Sequence, residues 1–122
     1  MNVVDSSAWI SFFRGERNAK KFAQPIEDIE HLVVPSITLT EVFKYMNRYL
    51  GESYALQAIA HMNQALVAPL DSMLAVDAAV LGLEFELPLA DSIIYATAKK
   101  FGARVWTQDA DFKDLPGVEY FL

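Results

Sequence analysis

The sequence predicts a three-layer α/β domain, a central parallel sheet of about five short strands flanked by helices. Three observations predict it. The apolar runs at Val3-Val4, Leu32-Val33-Val34, Val67-Ala68, Val105-Trp106 and Val118–Phe121 are short and mostly unbroken rather than alternating, as expected of strands buried on both faces. Segments with helical spacing of apolar residues separate most of these runs. Acidic residues follow directly on some of them, at the carboxyl ends of strands where open α/β sheets place their ligands.

Taken in order, Asn2–Asp5 is the first strand. Ser6 and Ser7 can cap a short helix over Ala8–Gly15, which the glycine closes. A second helix runs from about Asn18 with apolar positions Phe22, Ile26 and Ile29, and Pro25 limits its regularity. Leu32–Pro35 is the second strand. The third helix begins near Ser36–Thr38, continues through Tyr49 and stops at Gly51. The fourth takes Glu52–Leu66, with Leu56, Ile59, Met62 and Leu66 apolar. Val67–Leu70 is a strand, and Asp71-Ser72 is an N-cap pair for a helix over Met73–Phe85. Pro88–Asp91 breaks that helix and starts another, Ser92–Phe101, closed by Gly102. The strand at Val105–Trp106 follows, then a turn over Asp109–Leu115 and a last strand at Val118–Phe121. Without internal repeat, linker or low-complexity segment, the 122 residues form one domain spanning residues 1–122.

Composition narrows the function classes. The chain is 53% hydrophobic with a mean hydropathy of +0.19, above the roughly 45–50% usual for soluble domains. Such an excess points to apolar surface covered by another chain. Cysteine is absent, which removes disulfides and thiolate metal sites and fits a reducing compartment. No apolar run approaches the roughly 20 residues that span a bilayer, and no basic stretch leads into a signal core. A cytoplasmic protein without membrane attachment is therefore expected. The net charge is −6, with 16 acidic against 10 basic residues, so any nucleic-acid contact has to come from a local patch. Neither phosphate-loop nor dinucleotide-binding glycine patterns occur.

The acids fall into two groups. Asp77, Glu84, Glu27, Asp28 and Glu30 lie along helices and read as solvated faces. Asp5, Glu41, Asp91 and Asp109 lie at or near one edge of the predicted sheet, with Asp111 two residues beyond Asp109. Each has a local alternative. Asp91 suits a helix N-cap, and Glu41 completes Thr38-Leu39-Thr40-Glu41, a capping-box pattern. Asp109 can cap the turn at Ala110, and Asp111 can be a turn residue. Asp5, at the end of an apolar strand, is the hardest to explain locally, since a buried carboxylate needs a partner or a metal. The alternatives do not account for all four acids meeting at one sheet edge. His31 and His61 have no acid–nucleophile constellation around them. Trp9, Phe12, Phe13, Tyr45, Met46, Tyr49 and Tyr54 read mainly as core.

The segments Val4-Asp5-Ser6-Ser7, Thr40-Glu41-Val42, Leu89-Ala90-Asp91-Ser92-Ile93-Ile94-Tyr95-Ala96-Thr97-Ala98 and Trp106-Thr107-Gln108-Asp109-Ala110-Asp111-Phe112 resemble the PIN domain, the nuclease fold of VapC-type toxins of toxin–antitoxin pairs. The match spans nearly the whole chain. The resemblance implies a PIN-like fold and divalent-metal-dependent cleavage of RNA. It makes Asp5, Glu41, Asp91 and Asp109 the catalytic and metal-binding quartet and Asp111 an accessory ligand. Ser6 and Thr107 become hydroxyls that support a metal-bound water or a phosphate. Oxygen-only ligands favour Mg²⁺ or Mn²⁺, and the implied reaction is in-line attack of an activated water on a phosphodiester. Setting the quartet aside leaves 12 acidic against 10 basic residues. Lys44 and Arg48, three and seven residues after Glu41 on one helical face, can then contact RNA or be ordinary solvated charges. The resemblance also implies a cognate antitoxin, whose C-terminal segment enters a groove of the early helices, and a homodimer. Two other readings stand beside it: a PIN fold that binds RNA or protein without cutting, and a receiver-like phosphoacceptor. The latter lacks its late strand-end lysine, since Thr107 and Asp109 occupy that place.

Overall fold

In a computed structural model describing residues 1–122, five short strands form one fully parallel sheet: β1 (Asn2–Val4), β2 (Leu32–Pro35), β3 (Leu66–Ala68), β4 (Arg104–Thr107) and β5 (Val118–Tyr120). Their order across the sheet is β3-β2-β1-β4-β5. Six α-helices connect them: α1 (Ser6–Arg14), α2 (Ala19–Glu27), α3 (Ser36–Leu50), α4 (Glu52–Met62), α5 (Ser72–Phe85) and α6 (Leu89–Lys100).

The pleat sends alternate strand residues to opposite faces. Val4 and Val34 join a core with Trp9, Phe22, Val42 and Met62 from α1–α4. Val3, Val33 and Val105 face the other way, onto Ile94, Tyr95 and Ala98 of α6. Leu74 and Ala78 attach α5 to Ile93 and Ala96 of α6. The three layers expected from the sequence are therefore present, and the continuous apolar strands follow from burial on both sides. No helix is long and apolar enough to cross a membrane.

Several boundaries differ from expectation. Strand β1 stops at Val4, and Asp5 rather than a serine caps α1 by accepting the Ala8 N–H. Pro25 lies inside α2 and is buried, and the helix ends two residues later. Helix α4 ends at Met62, not Leu66, which belongs to β3 and is 55% exposed. Its apolar side chain fitted the helical period equally well. Helix α6 begins at Leu89 with Pro88 as its N-cap. Asp91 is thus a first-turn residue, and the alternative that it caps the helix is not realised. The 3-10 turn at Ile29–His31 was not anticipated, whereas the one at Ala110–Phe112 lies within the turn expected over Asp109–Leu115.

Candidate active site

The chain builds outward from β1 on one side through β2 and β3, then crosses to the other side to add β4 and β5. The reversal falls between β1 and β4, whose register pairs Val4 with Trp106. A crevice outside the carboxyl ends of these two strands is where a fold of this kind binds ligands. Asp5 follows β1 and Asp109 follows β4. Helices α3, which leaves β2, and α6, which leads into β4, both begin at this edge; Asp91 lies in the first turn of α6 and Glu41 in the second turn of α3.

Asp5 is 2% exposed. Its carboxylate accepts four contacts: Ser7 Oγ at 2.9 and 3.0 Å, Ala8 N at 2.9 Å and Thr107 Oγ1 at 2.7 Å. Those donors make the burial tolerable. Burial nevertheless raises its pKa from 3.8 to about 7, against the pull of Thr107, Ala8 and Ser7 and with a further push from the Asp109 charge. Thr107 is itself fully buried. Its oxygen accepts the Asp109 N–H at 2.8 Å while its proton goes to Asp5.

Glu41 is half-buried and accepts the Ser6 hydroxyl at 2.6 Å. The capping-box alternative fails because Thr38 sits inside α3 and donates to the Pro35 carbonyl at 2.7 Å. The two hydroxyls expected to support a metal-bound water or a phosphate each donate to a carboxylate, Ser6 to Glu41 and Thr107 to Asp5. Ser7 was read only as a helix cap, yet it also holds Asp5. The Asp-Ser-Ser spacing carried that signal, since an N-cap aspartate lies within reach of a hydroxyl two residues on.

Asp109 caps the 3-10 turn, its Oδ1 accepting the Asp111 N–H at 2.9 Å. The turn brings Asp111 back, so that one carboxylate oxygen each from Asp91, Asp109 and Asp111 lie within 4.8 Å of one another. Asp111, expected as an accessory ligand, is the exposed member of this group, and the other two are half-buried. Asp91 ties the five acids together. Its pKa rises from 3.8 to about 7, first through burial and then through the charges of Asp109, Asp5, Asp111 and Glu41.

None of the four ion pairs of the chain, Arg14–Glu16, His31–Asp28, Lys100–Asp71 and Arg104–Glu119, includes a site acid. Clustered carboxylates without a counter-charge suit a hard cation, and an all-oxygen donor set suits Mg²⁺ or Mn²⁺. Lys44 and Arg48 are exposed on α3, with the Arg48 guanidinium 6.0 Å from the Tyr49 ring centre. Both remain free to meet solvent or a ligand, and neither bonds to a site acid.

Residues 3–118 match the family model of the PIN domain. Among solved structures, a toxin–antitoxin complex from Klebsiella pneumoniae is 26% identical, with 98% of this chain and 96% of that one covered and a TM-score of 0.81. VapC20 of Mycobacterium tuberculosis, described as a sarcin–ricin-loop-cleaving toxin, is 21% identical over 98% of both chains, with a TM-score of 0.79. A DNA-bound VapBC complex from Salmonella typhimurium is 17% identical, covers 99% and 98%, and has a TM-score of 0.74. The last two likenesses concern the fold. No curated protein sequence matches the chain significantly.

Proposed function

The chain belongs to the PIN domain family, and from that premise we propose that it is a divalent-metal-dependent endoribonuclease, the VapC-type toxin of a toxin–antitoxin pair. The observation that carries the reading is the convergence of five acids at the switch point, with Asp91 responding to the charge of the other four. The Klebsiella toxin–antitoxin complex supports the biological role.

In this reading Asp91, Asp109 and Asp111 hold the cation, and Asp5 and Glu41 complete its surroundings. Bound there, Mg²⁺ or Mn²⁺ lowers the pKa of water and offsets charge on the phosphodiester. The rest is done by the chain. Ser6 orients Glu41, while Ser7, Thr107 and the Ala8 N–H hold Asp5 in one orientation. Thr107 also links Asp5 to the backbone of Asp109, so the ends of β1 and β4 are registered through one hydroxyl. Water attacks phosphorus and a P–O bond breaks, so no side-chain nucleophile is required. Asp111 is exposed, which leaves one side of the cluster open to RNA. Lys44 and Arg48, exposed on α3, are assigned to the RNA backbone in this reading. The cognate antitoxin is assigned the α3–α4 side, where Tyr49, Tyr54 and Leu56 are 61, 58 and 54% exposed. Trp9, by contrast, is fully buried and belongs to the core.

RNA cleavage with Mg²⁺ or Mn²⁺ tests the reading, comparing the natural chain with Asp5→Ala and Asp91→Asn. Loss of cleavage in both variants is expected. Undiminished activity in both removes the assigned roles, and absence of divalent-cation binding by calorimetry favours a binding module that does not cut.

A further inference from the structure

Much of the positive charge of this acidic chain is gathered in one place. Arg14, Arg17, Lys20 and Lys21 lie at the junction of α1 and α2, with Glu16 the one acid among them, and all four are exposed. Three basic side chains reach the end of β5. Arg17 donates to the Leu122 backbone oxygen, Lys21 Nζ is 5.0 Å from the Phe121 ring centre, and Lys113 Nζ is 6.0 Å from that of Tyr120. These cations border a cleft of about 500 Å³ lined by Glu16, Arg17, Asn18, Gln108, Tyr120 and Leu122. Its size is that of a small-ligand site, and its lining is mostly polar. Asn18, 3% exposed, anchors it, donating through Nδ2 to Gln108 Oε1 at 3.1 Å and to the Leu122 oxygen at 3.3 Å. Gln108 follows β4 and Leu122 lies beyond β5, so the cleft opens at the carboxyl edge of the sheet. Gln108 also stands between Thr107, which holds Asp5, and Asp109 of the acid cluster. The cleft and the candidate active site share one loop.

The donors and acceptors left over define a ligand. Arg17 uses its guanidinium on one backbone oxygen and Gln108 engages its Oε1, so a guanidinium edge and an amide N–H group remain. Glu16 offers two carboxylate oxygens, and its ion pair with Arg14 is a loose 3.9 Å. A fork of donors beside a carboxylate matches guanine. Arginine meets guanine O6 and N7 together, and the N1–H and N2–H groups of the same base can donate to two carboxylate oxygens. Adenine sets a donor beside its N7, and the pyrimidines have no N7. A base unstacked from single-stranded RNA exposes both edges for such bonds, and lysines around it suit the neighbouring phosphates. An acidic protein segment would also match the lysines, but it would set its carboxylates against Glu16.

We propose that this cleft is a guanine subsite for RNA. Arg17 and Gln108 donate to O6 and N7 of one unpaired guanosine, Glu16 accepts from its N1–H and N2–H, and Lys20, Lys21 and Lys113 meet the flanking phosphates. The inference rests on the nuclease reading for RNA as the ligand, and it adds a determinant of which RNA is cut. A guanosine held against the loop that carries Asp109 sets which phosphate of the strand reaches the acid cluster.

Fluorescence anisotropy in chelator tests this, with short uridine oligonucleotides carrying one central guanosine, adenosine or cytidine, or none. The natural chain should bind the guanosine oligonucleotide about tenfold or more tighter than the other three. Arg17→Lys and Glu16→Gln should each remove that preference. The lysine keeps the charge but loses the fork, and the glutamine presents one acceptor oxygen where the carboxylate presents two. Both side chains are exposed, so melting temperatures should stay close to that of the natural chain. Lys20→Glu/Lys21→Glu should weaken all four oligonucleotides alike, flatten the salt dependence and leave the guanosine preference in place. Equal affinity for the four, preference for another base, or a guanosine preference that survives both Arg17→Lys and Glu16→Gln overturns the proposal. Polyglutamate that displaces the RNA better than an all-uridine oligonucleotide of equal charge overturns it in favour of an acidic protein segment. Binding in chelator and cleavage with Mg²⁺ or Mn²⁺ are separate readouts, so failure of the subsite and failure of the nuclease reading are each seen in their own assay.

Discussion

Replacing Asp5 with asparagine separates the two things this residue does. Asparagine caps a helix about as well as aspartate, so the bond to Ala8 N–H can persist, while the buried charge is removed. The folded carboxyl titrates near 7 and the unfolded one near 3.8. Between these values the native state keeps a proton that the unfolded state has released. Without metal, the natural protein therefore loses stability as pH rises through this window, and the loss is complete above the folded value. Each pH step of one within the window amounts to about 1.36 kcal/mol, so Asp5 destabilises the metal-free fold by about 2 kcal/mol between about pH 5.5 and its folded value. The asparagine variant lacks that slope. Asp91 titrates in both proteins, and removing the Asp5 charge eases it in the same direction. Urea unfolding in chelator, at about pH 5.5 and about pH 8.5, reads the effect as an advantage of the variant that grows by about 2 kcal/mol at the higher pH. A stability difference equal at the two pH values would refute the account of Asp5 as a charge held against burial.

Other outcomes follow from the same geometry. A divalent cation at the acid cluster should raise the melting temperature, by about 2.7 kcal/mol of stability at a hundredfold excess over the dissociation constant; scanning calorimetry should show a larger rise above neutral pH than below it. Thr107→Val removes the donor to Asp5 and the acceptor of the Asp109 N–H; cation affinity measured by titration calorimetry should fall by about 10–100-fold, with Thr107→Ser largely restoring it. Asp111→Ala should weaken cation binding about as much as Asp109→Ala, whereas an accessory Asp111 would leave affinity near that of the natural chain. Gly82→Ala would put a Cβ 2.5 Å from Ser92 Oγ; a loss of about 1–3 kcal/mol in chemical denaturation is expected, reduced when Ser92→Ala is added.

The parallel sheet and its layers were legible because burial on both faces leaves the same mark on every strand, namely an apolar run such as Leu32–Val34. Asp5 was legible for the converse reason: a carboxylate beside such a run has no cheap local explanation. Less was legible where one residue served two patterns. Leu66 continues the helical period of α4 and also begins β3, and only the pairing of Val33 with Leu66 decides between them. Asp91 looked like a cap because Pro88 was read as a break, whereas a proline at a helix N-terminus forfeits no hydrogen bond and lets the helix start two residues before the acid. The place of Asp111 in the group depended on how the expected turn closes, with the Asp109 side chain accepting the Asp111 N–H and the Asp109 carbonyl the Phe112 N–H. The uses of Ser6 and Thr107 were hidden for a different reason. Their partners are 35 and 102 residues away, and a hydroxyl carries no sign of which distant oxygen it will find.

That last separation has a consequence in time. Asp5 is made 102 residues before the hydroxyl that secures it. Until β4 has emerged and inserted beside β1, that edge of β1 is open and Asp5 and Asp91 have no Asp109 and Asp111 to join. At roughly 5–20 residues per second, several seconds pass in which the nascent chain carries its early acids but no assembled centre. The acid cluster is therefore incomplete throughout the synthesis of the segment between β1 and β4, and is assembled only when β4 closes beside β1.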